Sequence, residues 1–333
     1  GGGLDHFNPK TGKFTNYRHQ KNESNSLSHD DVRSIAEDRH GNLWIGTFGG
    51  GFSRFDPNTK IFTHYRHRVN FLNSLSHDVV SSVIEDKQGN IWVGTANGGL
   101  NHFNPITEQF THYRYQSHDS RSLSHDNITS LLVNTQGNLW VGTTAGLNVI
   151  DNKTKTFKHY GVKQGLADDL INSIEEDDEG YLWLSTNHGL SRFDPKTERF
   201  KNYDIGDGLQ SNEFNGRASF KSKSGELFFG GIKGLNRFYP ENITDDMQAP
   251  KVVITDMLLL NKSVPTENQT MSTHVVSNNH NFSLAQAIHL TDSITLTHQD
   301  NIIAFEFSAL HFSNPKKNQF SYQLQGWDND WVS

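Results

Sequence analysis

The sequence predicts an all-β chain folded as a β-propeller, and three observations carry that prediction. Leu27, Leu75 and Leu123 recur at a spacing of 48, and Trp44, Trp92 and Trp140 recur in the same phase; a fixed period of about 20–50 residues marks a repeat architecture. Each repeat reads as four short strands parted by Gly- or Pro-containing turns. The second strand, "LWIG" and its kin, is apolar without alternation, as burial on both faces requires. A four-stranded unit of about 40–48 residues is a propeller blade, whereas the coils of a β-solenoid are shorter.

The elements follow in order along the chain. "GGGLDHFNPKTGKFTNY" (1–17) matches 49–65, Leu4 with Phe52, Pro9 with Pro57 and Tyr17 with Tyr65, so the chain opens halfway through a unit. On this reading the missing strands and a signal peptide lie upstream. Units follow at Leu27, Leu75, Leu123 and Leu166, the last with Trp183, and a looser fifth carries Phe228 in "GELFFGGIKGLNRFYP". Five complete blades and a partial one are therefore expected over 1–246, as part of a propeller of about six to eight blades. In each unit "DVRSIAED" and "NLWIGT" form a hairpin around a polar Gly turn, then "GFSRFD" leads through "DPNTK" into "IFTHYRH". Trp44, Trp92, Trp140, Trp183 and Phe228 are expected to fill the space between neighbouring blades rather than to stack on a sugar. The glycines that follow three of them, Gly46, Gly94 and Gly142, let backbones crowd there.

Composition narrows the function. The 333 residues carry a net charge of −7, which argues against a nucleic-acid partner. With no Cys, disulfides, thiolate metal sites and a Cys nucleophile are excluded. No apolar stretch reaches the roughly 18 residues of a membrane span. G-x-S-x-G, P-loop and H-E-x-x-H motifs are absent, and no cofactor is expected. The acidic run Glu175, Glu176, Asp177 and Asp178 is read as a solvated hairpin.

If the strands of a blade alternate up and down, the hairpin turns open on one face and the long polar connections on the other. The second face also carries residues that vary from blade to blade: Phe48, Asn97, Ala145, Asn187 and His188. Variable loops on a rigid scaffold are where binding concentrates. Three "SHD" triplets lie there too: His29 with Asp30, His77 with Asp78, and His125 with Asp126. They admit turn capping, ligand contact or metal binding, and the separation of equivalent positions on different blades weighs against a metal. His64, His112 and His159 are expected to decorate the outer blade edge.

The pattern "L-S-x-x…I-x-E-D-x-x-G-N-L-W-I-G-T…G-L-x-R-F-D-P-x-T-x-x-F" resembles the two-component regulator propeller repeat. After it, "APKVVITDMLLLNKSV" and "NIIAFEFSALHFSNPKKNQFSYQLQGWDNDWVS" resemble the start of a Y_Y_Y domain, an immunoglobulin-like β-sandwich, placed at 247–333 with Tyr322 as the first signature tyrosine. The resemblance implies the periplasmic, ligand-sensing part of a transmembrane receptor. Its output is a histidine kinase or diguanylate cyclase, its ligand an oligosaccharide or other small molecule, and its membrane helix lies downstream. Because a propeller whose blades are clamped by two neighbours is stiff, a ligand can signal only by favouring one of two arrangements of an assembly, and a homodimer through the sandwich is expected to supply them. A propeller enzyme of the streptogramin-lyase type and a protein-docking propeller are the alternatives.

Overall fold

The computed structural model describes residues 2–151, 153–243, 251–266, 282–297, 302–309 and 320–332. Two compact units emerge, Gly1–Ile243 and Thr244–Ser333. Residues 244–250, where the sequence places the boundary, lie outside the described residues.

The first unit is all antiparallel sheet. A hairpin, β1 (Leu4–Asn8) and β2 (Lys13–Tyr17), precedes four four-stranded sheets whose strands pair in chain order. The first blade holds β3 (Val32–Glu37), β4 (Leu43–Thr47), β5 (Phe52–Asp56) and β6 (Ile61–Tyr65). The second holds β7 (Val80–Glu85), β8 (Ile91–Thr95), β9 (Gly99–Asn104) and β10 (Gln109–Tyr113). The third runs from β11 (Ile128–Val133) through β12 (Leu139–Thr143) and β13 (Gly146–Ile150) to β14 (Phe157–Tyr160). The fourth holds β15 (Ser173–Glu176), β16 (Leu182–Thr186), β17 (Gly189–Asp194) and β18 (Arg199–Tyr203). First strands neighbour first strands from β3 through β7 and β11 to β15, as the inner strands of a propeller do.

The fifth sheet has three strands, β19 (Phe214–Lys221), β20 (Leu227–Gly231) and β21 (Gly234–Phe238), where the sequence reading expected a complete blade. After Phe238 the chain turns into a short 3-10 segment at Pro240–Asn242. Proline has no N–H to give a ladder and suits the start of such a turn.

Each repeated motif has a local cause. In "E-D-x-x-G-N-x-W" the aspartate builds the hairpin turn. One Asp38 oxygen accepts from the backbone of His40 and Asn42, and the other from the Trp44 indole at 2.9 Å. Asp86 with Trp92 and Asp177 with Trp183 repeat the bond at 2.9 and 2.8 Å. The third blade breaks the series, because Asn134 replaces the aspartate and the buried Trp140 indole N–H has no partner among the described residues. In "D-P-x-T" the leading Asp or Asn accepts from the N–H two residues on, as Asp56 and Asp194 do from Asn58 and Lys196. That is the Asx turn these residues favour.

Blades dock by a knob and a hole. Trp44 packs with Leu75, Val80, Val83 and Phe103 of the next blade, and Trp92 and Trp140 repeat this one blade on. A Cβ on Gly46, Gly94 or Gly142 would meet Val80, Ile128 or Ile171 of the following blade at 2.6, 2.5 or 2.8 Å. Trp183 packs with Phe214, Leu227 and Phe229 of the fifth sheet. Phe228 takes the tryptophan register, pairing with Arg237 as Trp183 does with Arg192. It is only half-buried and touches Phe220, because among the described residues no further sheet covers it. The acidic run is corrected: Glu176 and Asp177 are buried, and only Asp178 of the four predicted solvated residues is exposed. The Glu176 carboxylate accepts from the N–H and hydroxyl of Thr135 on the preceding blade at 2.7 and 2.8 Å.

The described residues of the second unit form one three-stranded antiparallel sheet, β22 (Val252–Leu259) between β23 (Lys262–Ser263) and β24 (Ile303–Ala309). Met257, Val264, Leu284 and Ile288 make its small core. Tyr322 bridges Val332 and is exposed.

Candidate functional site

The loops that join second to third strands and the segments that lead into first strands are laced together by backbone hydrogen bonds. Phe48 N–H donates to Asp31 of its own blade, and Gly49 and Gly51 donate to the Asp78 carbonyl of the next. Gly99 to Asp126, Gly146 to Asp169 and Gly189 to Asn212 repeat the second tie. The rim is therefore a backbone frame, with its side chains left to vary.

The SHD residues have a defined place in that frame. His29, His77 and His125 each accept the N–H two residues on through Nδ1, at 3.0, 3.0 and 2.9 Å. Nδ1 as acceptor puts the proton on Nε2. Asp30, Asp78 and Asp126 accept the N–H of His19, His67 and Tyr115, each at 2.7 Å, and so fix the connection that arrives from the preceding strand. That bond holds the Asp30 carboxyl below its ordinary range. The triplets thus cap turns, and the Nε2 edges are left without a hydrogen bond among the described residues. No three His, Asp or Glu side chains converge as a metal site among the described residues.

The variable positions sit on the same rim. Phe48, Asn97, Ala145, Asn187 and His188 are exposed, and Asn97 holds a left-handed φ of 65°. His188, in the register of Ala145, has its Nδ1 2.5 Å from Asp168 Oδ2; one blade earlier the same loop and connection are tied one residue away, by His125 Nδ1 and Thr144 Oγ1 at 3.1 Å. His64, His112 and His159 bond through Nε2 to the carbonyls of Ser24, Ser74 and Ser122, tying last strands to connections. Burial lowers His64 and His112 below the usual histidine value.

Arg33 and Arg217 were not singled out by the sequence reading. The Arg33 guanidinium bonds Asp31 at 2.8 Å and lies 5.0 Å from the centre of the Phe48 ring. Arg217 lies in an irregular stretch of β19 with φ 63°. A signal for it exists: Leu209 and Phe228 are 19 apart, whereas the other four units space the same positions by 17.

The profile of the two component regulator propeller family matches residues 26–49, 74–97, 122–145 and 165–188. Histidine kinase P4 of Formosa agariphila is 27% identical over 121 residues, 36% of this chain and 8% of that protein. The extracellular domain of the hybrid two component system BT3049 from B. thetaiotaomicron superimposes with a TM-score of 0.77 at 26% identity, covering 98% of this chain and 41% of that one. The corresponding domain of BT4673 gives 0.57 at 25% identity, over 99% and 42%. This chain thus spans about two fifths of those sensor domains. Virginiamycin B lyase of Staphylococcus aureus shares the fold alone, at 14% identity and a TM-score of 0.51 over 69% of this chain and 72% of that one. Among the described residues no helix is long and apolar enough to cross a membrane. With its repeats matched in four successive units, the chain carries two component regulator propeller repeats, and over nearly its whole length it is similar in fold to extracellular domains of hybrid two component systems.

Proposed function

We propose that this chain is the ligand-sensing part of a membrane-anchored receptor, held in the periplasm, and that an oligosaccharide or similar small molecule binds at its loop rim. The observation that supports this most is the division of labour in the rim: the backbone frame repeats from blade to blade, while positions 48, 97, 145, 187 and 188 change. A scaffold of that kind presents a different set of contacts around one opening without altering its fold. The Nε2–H groups of the half-buried His29, His77 and His125, which make no hydrogen bond among the described residues, supply hydrogen-bond donors beside them.

In the intact receptor the second unit, which we assign to the start of a Y_Y_Y sandwich, pairs two copies, and ligand acts by favouring one arrangement of the pair. The output of the full protein is a kinase relay. His77→Ala and the double change Asn187→Ala, His188→Ala should each raise the dose for half-maximal phosphorylation of the full receptor by about tenfold, the equivalent of one lost good contact. Output at saturating ligand stays unchanged. Dose–response curves that coincide with the parent's for both variants would overturn this placement of the ligand.

The pairing of exposed His188 with half-buried Asp168 favours a second reading, a lyase-type base, since among the described residues it occurs in one blade. The analogous His125–Thr144 tie argues that the position is a loop brace. Turnover of a bound oligosaccharide that disappears in His188→Ala would establish the enzyme instead.

A further inference from the structure

The seam between the first and second blades and the seam between the third and fourth share one aromatic frame. Tyr65, which ends β6, lies 4.7 Å from Phe103 and 6.5 Å from Phe110 of the next blade, at ring angles of 55° and 63°. Tyr160, which ends β14, lies 4.7 Å from Phe193 and 6.3 Å from Phe200, at 55° and 64°. A glutamate with left-handed φ precedes the last strand on the far side of each seam, Glu108 at 53° and Glu198 at 57°. The two seams differ in the residue two before the tyrosine. At the later seam Lys158 reaches over the Tyr160 ring, 5.3 Å from its centre, and pairs with the Glu198 carboxylate. At the earlier seam that place holds Thr63, which is too short to cross.

A cleft of about 420 Å³ opens there, with Thr63, Tyr65, Glu108 and Phe110 in its walls and, past the end of β6, Arg66 and Arg68. Its walls are tied together. The Asn73 side chain accepts from the Phe110 N–H at 2.8 Å and donates to the Glu108 carbonyl at 3.2 Å, which fixes the turn against the connection. Arg66 donates to the Ser28 carbonyl at 3.0 Å, and the Arg68 guanidinium lies 6.0 Å from the centre of the Phe71 ring. The Glu108 carboxylate makes no hydrogen bond or ion pair among the described residues. Burial, joined by that charge, raises the Tyr65 hydroxyl above its ordinary value. At the seam between the second and third blades Lys155 stands in the place of Glu108, so that seam has no carboxylate for a cation.

We propose that this cleft binds a small zwitterion of the ω-amino acid type. Its primary ammonium takes the place that the Lys158 amine holds at the later seam, between the Glu108 carboxylate and the Tyr65 ring, and its carboxylate lies toward Arg66 and Arg68. The ammonium gains a charge-assisted bond and a cation–π contact together, and the guanidinium fork suits a carboxylate. The cleft is built from last strands rather than from the loop rim, so it does not depend on what the rim binds.

The test is calorimetric titration of the full chain at constant ionic strength with ε-aminocaproate, hexylamine and caproate. The zwitterion binds, and each singly charged probe binds at least about tenfold more weakly. Glu108→Gln lowers the affinity for ε-aminocaproate by about tenfold or more, the loss of a charge-assisted bond. Thr63→Lys, which rebuilds the bridge seen at the later seam, removes binding, whereas Glu198→Gln leaves it unchanged. Circular dichroism melts show that the variants fold. Absence of ε-aminocaproate binding, or equal affinity in the parent, Glu108→Gln and Thr63→Lys chains, overturns the proposal. Hexylamine or caproate binding as tight as that of ε-aminocaproate overturns it too, because a single charge would then suffice.

Discussion

The orphaned Trp140 indole sits at a seam whose charges explain it, and this gives a quantitative prediction. At the seam between first and second blades Asp38 holds Trp44, the neighbouring Glu85 accepts from Arg39 N–H and Nε at 3.0 and 2.7 Å, and the cation offsets two carboxylates. Burial works to raise Asp38, but bonds from Asn42, Trp44 and the backbone outweigh it and hold the carboxyl below its ordinary value. At the seam between third and fourth blades Glu176 is present, Thr135 replaces the arginine, and Asn134 replaces the aspartate. An aspartate there would gain a charge-assisted bond to the indole, about 1.5–3 kcal/mol. It would also meet Glu176, at a cost of about 2–3 kcal/mol for like charges some 6 Å apart at an effective dielectric of 20. Asn134→Asp alone should therefore change stability by less than about 1 kcal/mol. In a Thr135→Arg background, which copies Arg39, it should stabilise by about 1–2 kcal/mol, or roughly 2–4 °C of melting temperature per kcal/mol. Urea unfolding of the four members of this cycle measures the coupling directly. Equal effects of Asn134→Asp in both backgrounds would refute the charge-balance argument, and destabilisation in the arginine background would refute the missing-acceptor argument.

Two further substitutions probe the seams. Gly94→Ala places a methyl 2.5 Å from Ile128 Cγ2 and should cost about 1–3 kcal/mol by overpacking; a loss under about 0.5 kcal/mol in urea titration would mean the blades are not in register there. Glu175, whose carboxyl is raised by burial despite a bond from Ser219 and the charge of Lys221, works against folding when ionised. Because its folded-state value lies above the unfolded one, the penalty is complete above the folded value and vanishes below the unfolded one. Glu175→Gln should thus raise the melting temperature at pH 7 and lose that advantage as pH falls below about 4, the ordinary carboxylate range. An advantage that persists into acid would show that the effect is not one of charge.

Much of the blade was legible because it is written four times. Strand count and turn chemistry follow from spacings that hold over a whole unit, and the hydrogen bonds of Asp38, Asp86 and Asp177 show why "E-D-x-x-G-N-x-W" recurs. Less legible was what depends on neighbours distant in sequence. Glu176 looked solvated because its partner, Thr135, lies one blade away. Phe228 looked like core by register, although burial is decided by what packs beyond it. The excursion at Asn215–Ala218 was visible as two additional residues between Leu209 and Phe228, yet a length difference alone does not say which strand absorbs it. The second unit repeats nothing, and so offered no internal check.

The pairing of glycine hole with branched knob has a consequence for how such chains grow. A blade that carries Gly94 on one side and Val80 on the other is complementary to a copy of itself, head to tail. In-frame duplication of 48 residues therefore yields a newcomer whose seams fit both neighbours at once. That interchangeability ends at the fourth blade, where Ser185 stands in the glycine place and its hydroxyl bonds the Ser173 hydroxyl of its own blade. The fifth sheet, with its own knob and its own irregular strand, has a single permitted position in the ring, and a residue such as Arg217 can specialise there without being copied.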